Sequence, residues 1–187
     1  LYLPQPDEKT GIIPQFDGYF DLKEIDLSVY KNASVVGTVF HDYSGEDVQG
    51  MQAGKQADIV ELLYQMEDIT TPDNKAKNYV YYEARTLHDS SLSKAIHSIT
   101  ACDLGMEKEA YEMFMSAALT DLGQEMKSSD AGIHSANMGG VWQDVVMGFG
   151  GIRIRDGHLR IAPNCPKQWE KFTSVSYTHL RAHETRS

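Results

Sequence analysis

The spacing of apolar residues changes once along this chain, near residue 150, and that change constrains its fold more than any other feature. Between residues 55 and 149, apolar side chains recur at intervals of three and four, which is typical of amphipathic helices. From Gly151 to Ile161 they alternate with polar residues around Asp156-Gly157, a strong β-hairpin signal. The fold is therefore expected to be mostly α, with a small β-sheet beginning after the helices.

Four helical stretches follow from this spacing. They cover about 55–69, 91–105, 110–123 and 136–149. The residues expected to face inward are Ile59, Leu62, Leu63, Met66, Leu92, Ile96, Ile99, Cys102, Ala110, Met113, Phe114, Ala117, Ala118, Val141, Trp142, Val145, Val146 and Phe149. Because so few residues separate the second stretch from the third, these two helices are expected to be antiparallel.

The two ends of the chain are predicted to be less regular. Residues 1–50 are punctuated by Pro and Gly without a sustained helical period, so loops with short helical pieces are expected. Residues 175–187 look like a translated sequencing adapter, and the i, i+4 pair of His179 and His183 inside them is not interpreted as a metal site. The first residue is Leu1 rather than Met, which suggests that an upstream segment is missing.

The predicted organisation has three parts. Residues 1–149 form the C-terminal part of a helical catalytic domain, residues 150–174 begin a C-terminal β-sheet domain, and residues 175–187 are the adapter-like tail. No internal repeat or low-complexity segment divides the helical part further.

Net charge and cysteine content limit the classes of function. The chain has 187 residues, of which 41% are hydrophobic and 24% charged, as in ordinary globular domains. Its formal net charge is −10, which argues against a nucleic-acid partner or an anionic membrane, because both require clustered Lys and Arg. Cys102 and Cys165 form no Cys-x-x-Cys motif, so two reduced thiols and a cytoplasmic location are expected.

Two segments about fifty residues apart carry the most informative chemistry. Residues 81–93 and 132–142 place hydroxyls, imidazoles and glycine backbone just ahead of predicted helices. A helix start offers unpaired N–H groups and roughly half a positive charge, so hydroxyls and a His placed there bind phosphate without a basic cluster. The two segments together predict a phosphate-handling enzyme.

Ordinary structural roles explain parts of both segments. Ser and Asp ahead of a helix are common N-caps, and close helix packing is an alternative explanation for Gly139 and Gly140. A single His is more often structural than catalytic. The turn around His134, however, is flanked by Gly and Ser and precedes a helix, so its imidazole is a candidate donor to an anion.

The spacing of His, carboxylate and Ser residues along the sequence predicts neither a metal site nor a nucleophilic serine. Outside the adapter-like tail, His and carboxylate residues lack the tight i, i+3 or i, i+4 grouping that coordination uses, so no metal is expected. His41, His97 and His158 are interpreted as surface or satisfied core histidines. No Gly-x-Ser-x-Gly elbow surrounds the serines after His88, which argues against covalent serine catalysis.

Lys55 and Gln56 open the first predicted helix. As surface residues they are unremarkable, but side by side they also offer donors and acceptors to sugar hydroxyls. Phe16, Tyr81, Tyr82 and Trp142 are aromatic candidates for stacking on sugar faces, although the helical spacing of Trp142 favours a place in the core.

Six motifs occur in a fixed order along the chain. They are Gln15-Phe16-Asp17-Gly18-Tyr19; Lys55-Gln56-Ala57-Asp58; Tyr82-Glu83 with Thr86-x-His88-x-Ser90-Ser91-Leu92-Ser93; Gly132-Ile133-His134-Ser135-Ala136; Gly139-Gly140-x-Trp142; and Gly148-Phe149-Gly150-Gly151. With these motifs, residues 1–171 closely resemble the C-terminal part of the disaccharide phosphorylases of glycoside hydrolase family 65, which act on sugars such as maltose, kojibiose, nigerose and trehalose.

The resemblance implies part of a six-hairpin (α/α) toroid followed by the start of a small C-terminal β domain. It also implies phosphorolysis with inversion, in which inorganic phosphate attacks the anomeric carbon of an α-glucosyl disaccharide and releases β-glucose 1-phosphate and a sugar. The partners would be the disaccharide and phosphate, with phosphate as co-substrate and no cofactor. The family also makes a homodimer the expected assembly.

Site residues are carried over from the same resemblance. Phosphate would be positioned by Ser90 or Ser91, His134 and the backbone of Gly139 and Gly140. The glucosyl unit would be bound by Lys55 and Gln56, and Glu83 would contact the sugar. Such a site makes chemical sense, because an inverting hydrolase needs a second carboxylate to activate water, whereas anionic phosphate would be repelled by one.

One departure from the family pattern leaves the catalytic residue unassigned. The family's general acid, a Glu, lies upstream of the matched region, so this chain is expected to be catalytically incomplete. Two alternatives stay open. One is a related inverting α-glucoside hydrolase of the acid trehalase type, with Asp130 as the candidate base, and the other is a non-catalytic helical carbohydrate-binding protein.

Overall fold

The computed structural model describes residues 3–31, 36–123 and 132–175, and the first fifty residues are mostly loop, as predicted. The short elements in this region are α1 (Ser28–Lys31), α2 (Gly45–Gln49) and 3-10 turns at Tyr19–Asp21 and Thr38–His41. α2 begins with a capping box, in which Ser44 and Asp47 satisfy each other's backbone N–H groups.

Five longer helices make up the body of the described ranges. They are α3 (Asp58–Gln65), α4 (Pro72–Arg85), α5 (Ser93–Asp103), α6 (Glu107–Ala118) and α7 (Ser135–Gln143), with a 3-10 turn at Glu67–Ile69 after α3. α7 continues without a break into a π-helical turn at Asp144–Phe149. The four predicted helical stretches are confirmed as α3, α5, α6 and α7, whereas α4 was not predicted.

α4 was missed because much of its buried face is polar. Its buried residues are Lys75, Asn78, Tyr79 and Tyr82. This face offers little of the apolar repeat on which helix prediction depends. The start signal was nevertheless present in the sequence, since Thr71 caps the helix by accepting from the backbone N–H of Asn74 at 3.2 Å and Pro72 occupies the first turn.

Asn78 fastens the N-terminal loops to α4. Its Oδ1 accepts from the backbone N–H of Ile13 at 2.8 Å, and its Nδ2 donates to the carbonyls of Gly11 and Asn74 at 2.9 and 2.8 Å. Asn78 is fully buried, and an unpaired polar group at such a place costs about 1–3 kcal/mol. Hydrogen bonds of the Asn78 amide, rather than apolar packing, therefore hold the N-terminal loops against α4 at this point.

α5 and α6 form an antiparallel hairpin, as their short link predicts. Ser98 Oγ donates to the Ala110 carbonyl at 2.8 Å, and Lys94 Nζ donates to Ser116 Oγ at 2.5 Å. The earlier residue of α5 contacts the later residue of α6, which shows that the two helices are antiparallel. Gly105, with φ of 71°, turns the chain between them as a helix-ending glycine does.

α7 runs in the same direction as α5 and packs directly against it. A Cβ added to Gly140 would lie 3.2 Å from the Cβ of Ala95, and one added to Gly148 would lie 3.3 Å from the Cα of Ile99. The later residue of α5 lies beside the later glycine, so the two helices are parallel. α5 and α7 therefore begin on the same side of the molecule. Close packing thus explains Gly140, whereas Gly139 is exposed with open space beside its Cα.

The predicted β-hairpin is present. β1 (Ile152–Arg155) pairs antiparallel with β2 (His158–Ile161), and Arg155 lies opposite His158. Asp156 and Gly157 join the strands with φ of 49° and 76°, the two left-handed residues of a type I′ turn. Helices therefore give way to a small two-stranded sheet where the apolar spacing changes.

A buried arginine ties this hairpin to the helices. The Arg153 guanidinium lies 2.7 Å from Asp103 Oδ1 at the end of α5 and also binds Glu67 after α3. Lys75 of α4 pairs with the same Asp103 at 2.6 Å. The ion pairs fix where the sheet starts relative to α3, α4 and α5.

Three residues expected in the core are exposed instead. Met66, Leu92 and Trp142 expose 42%, 41% and 59% of their surface. Met66 lies just past the end of α3 and Leu92 just before α5, so helical spacing does not govern their direction. Trp142 follows Gly140 by two residues, about 200° around the helix, and therefore points away from α5.

No helix in the described ranges is long and apolar enough to cross a membrane. Both cysteines are free thiols, Cys102 buried and Cys165 exposed, as predicted. The boundary between the 1–149 and 150–174 domains stays a prediction, and residues 176–187, with His179 and His183, lie outside the described residues.

Asp144 in the π-helical turn yields a prediction about stability and pH. Its side chain is fully buried, and neither carboxylate oxygen has a hydrogen-bond partner among the described residues. Burial raises the pKa of Asp144 to about 8. An unfolded Asp has a pKa near 3.9, so between about pH 4 and pH 8 unfolding releases one proton from this group.

We expect the free energy of unfolding to fall by at most about 1.4 kcal/mol per pH unit in that window on account of Asp144. Asp144→Asn removes the titration, so its stability relative to the wild-type protein should increase from pH 5 to pH 8 in urea unfolding curves. Asp156→Asn, at the exposed hairpin turn, is the control and should show no such trend. A constant difference between Asp144→Asn and wild type would contradict the prediction.

Candidate functional site

The turn between α4 and α5, residues 86–93, is held by a histidine in a strained backbone conformation. His88 has φ of 57°, which is uncommon for a residue with a side chain. Its ring is buried and engaged at both nitrogens, with Nδ1 2.9 Å from Ser93 Oγ and Nε2 3.0 Å from Glu83 Oε2. These contacts fix the turn that carries the two candidate phosphate-binding serines.

Glu83 is the centre of a larger charged group. Lys31 Nζ lies 2.6 Å from Oε1, and His97 Nδ1 lies 2.5 Å from Oε2, the oxygen that also contacts His88. Burial alone would raise the pKa of Glu83, but the contacts from His88 and His97 outweigh burial and hold this pKa well below its usual range. The carboxylate is thus ionised at neutral pH and has partners on both oxygens.

His97 differs from its sequence interpretation as a satisfied core histidine. It is fully buried, and its Nε2 has no hydrogen-bond partner among the described residues. Burial lowers the pKa of His97 to about 4, so its ring is neutral at pH 7. His41 and His158 are exposed, as expected.

The fold brings Glu83, His88 and His97 together in a cluster of possible metal ligands that their sequence spacing did not predict. One ligand atom of each lies within 4.8 Å of the others, an arrangement able to hold a metal ion. The sequence distances of five and nine residues are outside the usual helical pairs. Lys31 already pairs with Glu83, so the burial of this carboxylate does not require a metal.

Ser90 and Ser91 lie on the 86–93 turn, just before α5. Ser90 Oγ accepts from the backbone N–H of Leu92 at 3.3 Å, and the Ser90 carbonyl accepts from Ser93 at 3.4 Å. Both serines are half-buried. Ser90 therefore has a turn-forming role of its own, and both serines directly precede Leu92, the residue before α5.

A second carboxylate–imidazole pair lies at the start of α7. Asp121, in the turn after α6, contacts His134 through both oxygens: Oδ2 accepts from the backbone N–H at 2.8 Å, and Oδ1 lies 2.7 Å from Nδ1. His134 is half-buried and directly precedes the first residue of α7. Asp121 was not singled out from the sequence, because thirteen residues separate it from its partner.

The chain folds back so that Lys55 and Gln56 lie beside the 86–93 turn. Gly54 donates to the Arg85 carbonyl at 2.7 Å and accepts from the backbone N–H of Leu87 at 2.8 Å, forming a parallel bridge with Thr86. Lys55 and Gln56 follow directly and are exposed. The structure thus brings the candidate sugar-binding pair next to the segment that carries the serines.

The aromatic candidates divide into accessible and inaccessible rings. Tyr82 is buried and its hydroxyl donates to the Ile13 carbonyl, so it does not present a face to a sugar. Tyr81 is partly covered by the Arg85 guanidinium, 3.7 Å above its ring centroid. Phe16 is exposed. Asp130, the candidate base of the hydrolase alternative, lies outside the described residues.

Comparisons with known proteins show which family the chain resembles. The model of the glycosyl hydrolase family 65 central catalytic domain matches residues 1–143. A kojibiose phosphorylase from Halothermothrix orenii is 47% identical over 171 residues, which are 91% of this chain and 21% of the relative. An α,α-trehalose phosphorylase from Geobacillus stearothermophilus is 42% identical over 179 residues, which are 95% of this chain and 23% of the relative.

A solved structure shows the same likeness in three dimensions. It is a human-microbiome protein assigned as a kojibiose phosphorylase, with a TM-score of 0.79 and 32% identity, and the match covers 90% of this chain and 24% of that one. This chain therefore spans less than a quarter of the length of the proteins it matches. The resemblance drawn from the six motifs is confirmed.

The charged group around Glu83 predicts a large effect of one isosteric substitution. Glu83→Gln removes the negative charge but keeps the shape, which leaves Lys31 and His88 without an anionic partner. We expect the free energy of unfolding at pH 7 to fall by about 3 kcal/mol, as when one partner of a buried ion pair is removed. Because the folded pKa of Glu83 is depressed, this contribution should decline as pH falls below about 4.

Glu112→Gln is the matched control. Glu112 forms an exposed i, i+4 pair with Lys108, so its loss should change the free energy of unfolding by less than about 0.5 kcal/mol. Urea unfolding at pH 7 measures both variants. Equal effects would show that the Glu83 group does not hold the fold together.

Proposed function

Because the chain belongs to glycosyl hydrolase family 65, we propose that it supplies the phosphate- and glucose-binding side of a disaccharide phosphorylase. In the proposed reaction, phosphate attacks the anomeric carbon of an α-glucosyl disaccharide with inversion, and β-glucose 1-phosphate and a sugar are released. The relatives named as phosphorylases of kojibiose and trehalose support this reaction class. The same relatives make kojibiose and trehalose the first substrates to test.

The proposed phosphate site lies where α5 and α7 begin. The direct packing of α7 on α5 supports it, because two helix starts on one side of the molecule direct unpaired N–H groups to the same region. In the proposal, Ser90, Ser91 and His134 add a hydroxyl or imidazole there, and the open space beside Gly139 leaves room for a ligand. The packing of α7 on α5 is the observation that carries the proposal.

The carboxylates near this site are already engaged by partners. Glu83 is paired with Lys31 and contacted by His88, and Asp121 is covered by His134. A bare carboxylate would repel phosphate, whereas a carboxylate held by an imidazole repels it less. The site therefore suits an anionic nucleophile better than a water molecule that needs a carboxylate base.

The proposed glucose contacts are Lys55 and Gln56. Their exposure and their position beside the 86–93 turn support this role, because the glucosyl carbon must lie within reach of the attacking phosphate. The Glu83 carboxylate is occupied on both oxygens, so we assign it mainly to holding His88 and propose any sugar contact as secondary.

The remaining parts of the enzyme are proposed from the family. The helical hairpin of α5 and α6 would be one of six in an (α/α) toroid, and the β-hairpin would begin the C-terminal β domain. The general-acid Glu would come from the part of the protein that precedes this chain. No organic cofactor is proposed, and a cytoplasmic homodimer remains the expectation.

The proposed activity is tested with the full-length protein. Kojibiose or trehalose should be cleaved only when phosphate is present, and glucose 1-phosphate should appear in step with the released sugar. Free glucose formed without phosphate would instead identify a hydrolase. Absence of cleavage together with retained sugar binding would identify a carbohydrate-binding protein.

A single substitution tests the role of His134. His134→Ala should raise KM for phosphate about 10- to 100-fold, the equivalent of losing a charge-assisted hydrogen bond, while KM for the disaccharide changes far less. His158→Ala, on the exposed β2 strand, is the control and should leave both constants unchanged. Equal increases in the two KM values would argue against the phosphate assignment.

A further inference from the structure

Asp121 and His134 form a two-point contact that fixes both the backbone and the ring of the histidine. One carboxylate oxygen accepts from the His134 backbone N–H at 2.8 Å, and the other lies 2.7 Å from Nδ1. The Asp121 side chain is 11% exposed, whereas that of His134 is 33% exposed. The carboxylate is therefore largely covered, and the imidazole remains accessible.

This contact decides which ring nitrogen is available to a ligand. An ionised carboxylate only accepts hydrogen bonds, so Nδ1 must carry the proton that it donates to Asp121. Nε2 is then the ring nitrogen left for another group, as in histidines whose second nitrogen binds a metal or a substrate. Because the backbone N–H is held by the same carboxylate, the ring is also fixed relative to the first turn of α7.

We propose that Asp121 is a positioning residue of the phosphate site, acting through His134. Its two contacts hold Nε2 toward a phosphate at the start of α7. As an imidazolium the ring donates Nε2–H to a phosphate oxygen, and as a neutral ring it accepts from a protonated one. The inference rests on the proposed function. It assigns a role to a residue that lies outside all six motifs on which the family resemblance rests.

Charge alone makes the opposite prediction for Asp121. A carboxylate near an anion site repels the anion, so removing its charge should improve phosphate binding if repulsion were its main effect. If Asp121 orients His134, removing the charge should weaken phosphate binding, because the ring loses its fixed direction. The sign of the change in KM therefore separates the two roles.

The test is a double-mutant cycle in the full-length protein. Asp121→Asn should raise KM for phosphate about 10- to 100-fold, by analogy with the loss of residues that orient metal-binding histidines, and should change KM for the disaccharide less than about twofold. In the His134→Ala background, Asp121→Asn should add little, because the residue through which it acts is gone. Asp73→Asn, which removes a carboxylate paired with Lys77 at the surface, should leave both constants unchanged.

The remaining outcomes would contradict either the positioning role of Asp121 or the proposed function. Additive effects of Asp121→Asn and His134→Ala, equal increases in both KM values, or a lower KM for phosphate would overturn the positioning role while phosphorolysis stands. Cleavage by the wild-type protein that does not depend on phosphate would overturn the proposed function and this inference with it. If Asp121→Asn does not fold, Asp121→Glu enters the same cycle, since it keeps the charge but displaces the oxygens and should raise KM for phosphate selectively.

Discussion

The buried carboxylate of Glu83 is the constraint on which the arrangement of the site depends. A charge in this position is stable only if cations and donors surround it, and these come from three different parts of the chain. Lys31 belongs to the N-terminal region, His88 to the 86–93 turn and His97 to α5. Satisfying one side chain therefore fixes the loops, the end of α4 and the start of α5 relative to one another.

A second carboxylate–imidazole contact, between Asp121 and His134, lies at the start of α7. In both places an acidic residue from a neighbouring element holds a histidine next to a helix start, Glu83 with His88 and Asp121 with His134. Because α5 and α7 run in the same direction in direct contact, the two pairs belong to the same side of the molecule. In the proposed phosphate site, the acidic chain would thus present hydroxyls and imidazoles to an anion while its nearby carboxylates are engaged by other partners.

Sequence patterns predicted the structure correctly where apolar spacing and the residues of a short link or turn determine it. The hairpin of α5 and α6 and the β-hairpin at Asp156-Gly157 were both predicted, because a short link and a turn dipeptide leave few alternatives. α4 was missed because hydrogen bonds of residues such as Asn78, rather than an apolar stripe, hold its buried face. Trp142 was placed in the core wrongly, since periodicity cannot tell which face of α7 meets a neighbour.

By itself, the sequence determined the helical class of the fold, the position of the hairpin and the family, because spacing, turn residues and ordered motifs are local properties that need no partner. The tertiary structure alone decided which side chains meet. Glu83 with Lys31 and Asp121 with His134 are contacts between residues 52 and 13 positions apart along the chain. Long-range electrostatics leaves no periodic signal in a single sequence, since the charges that need each other are brought together only when the helices pack.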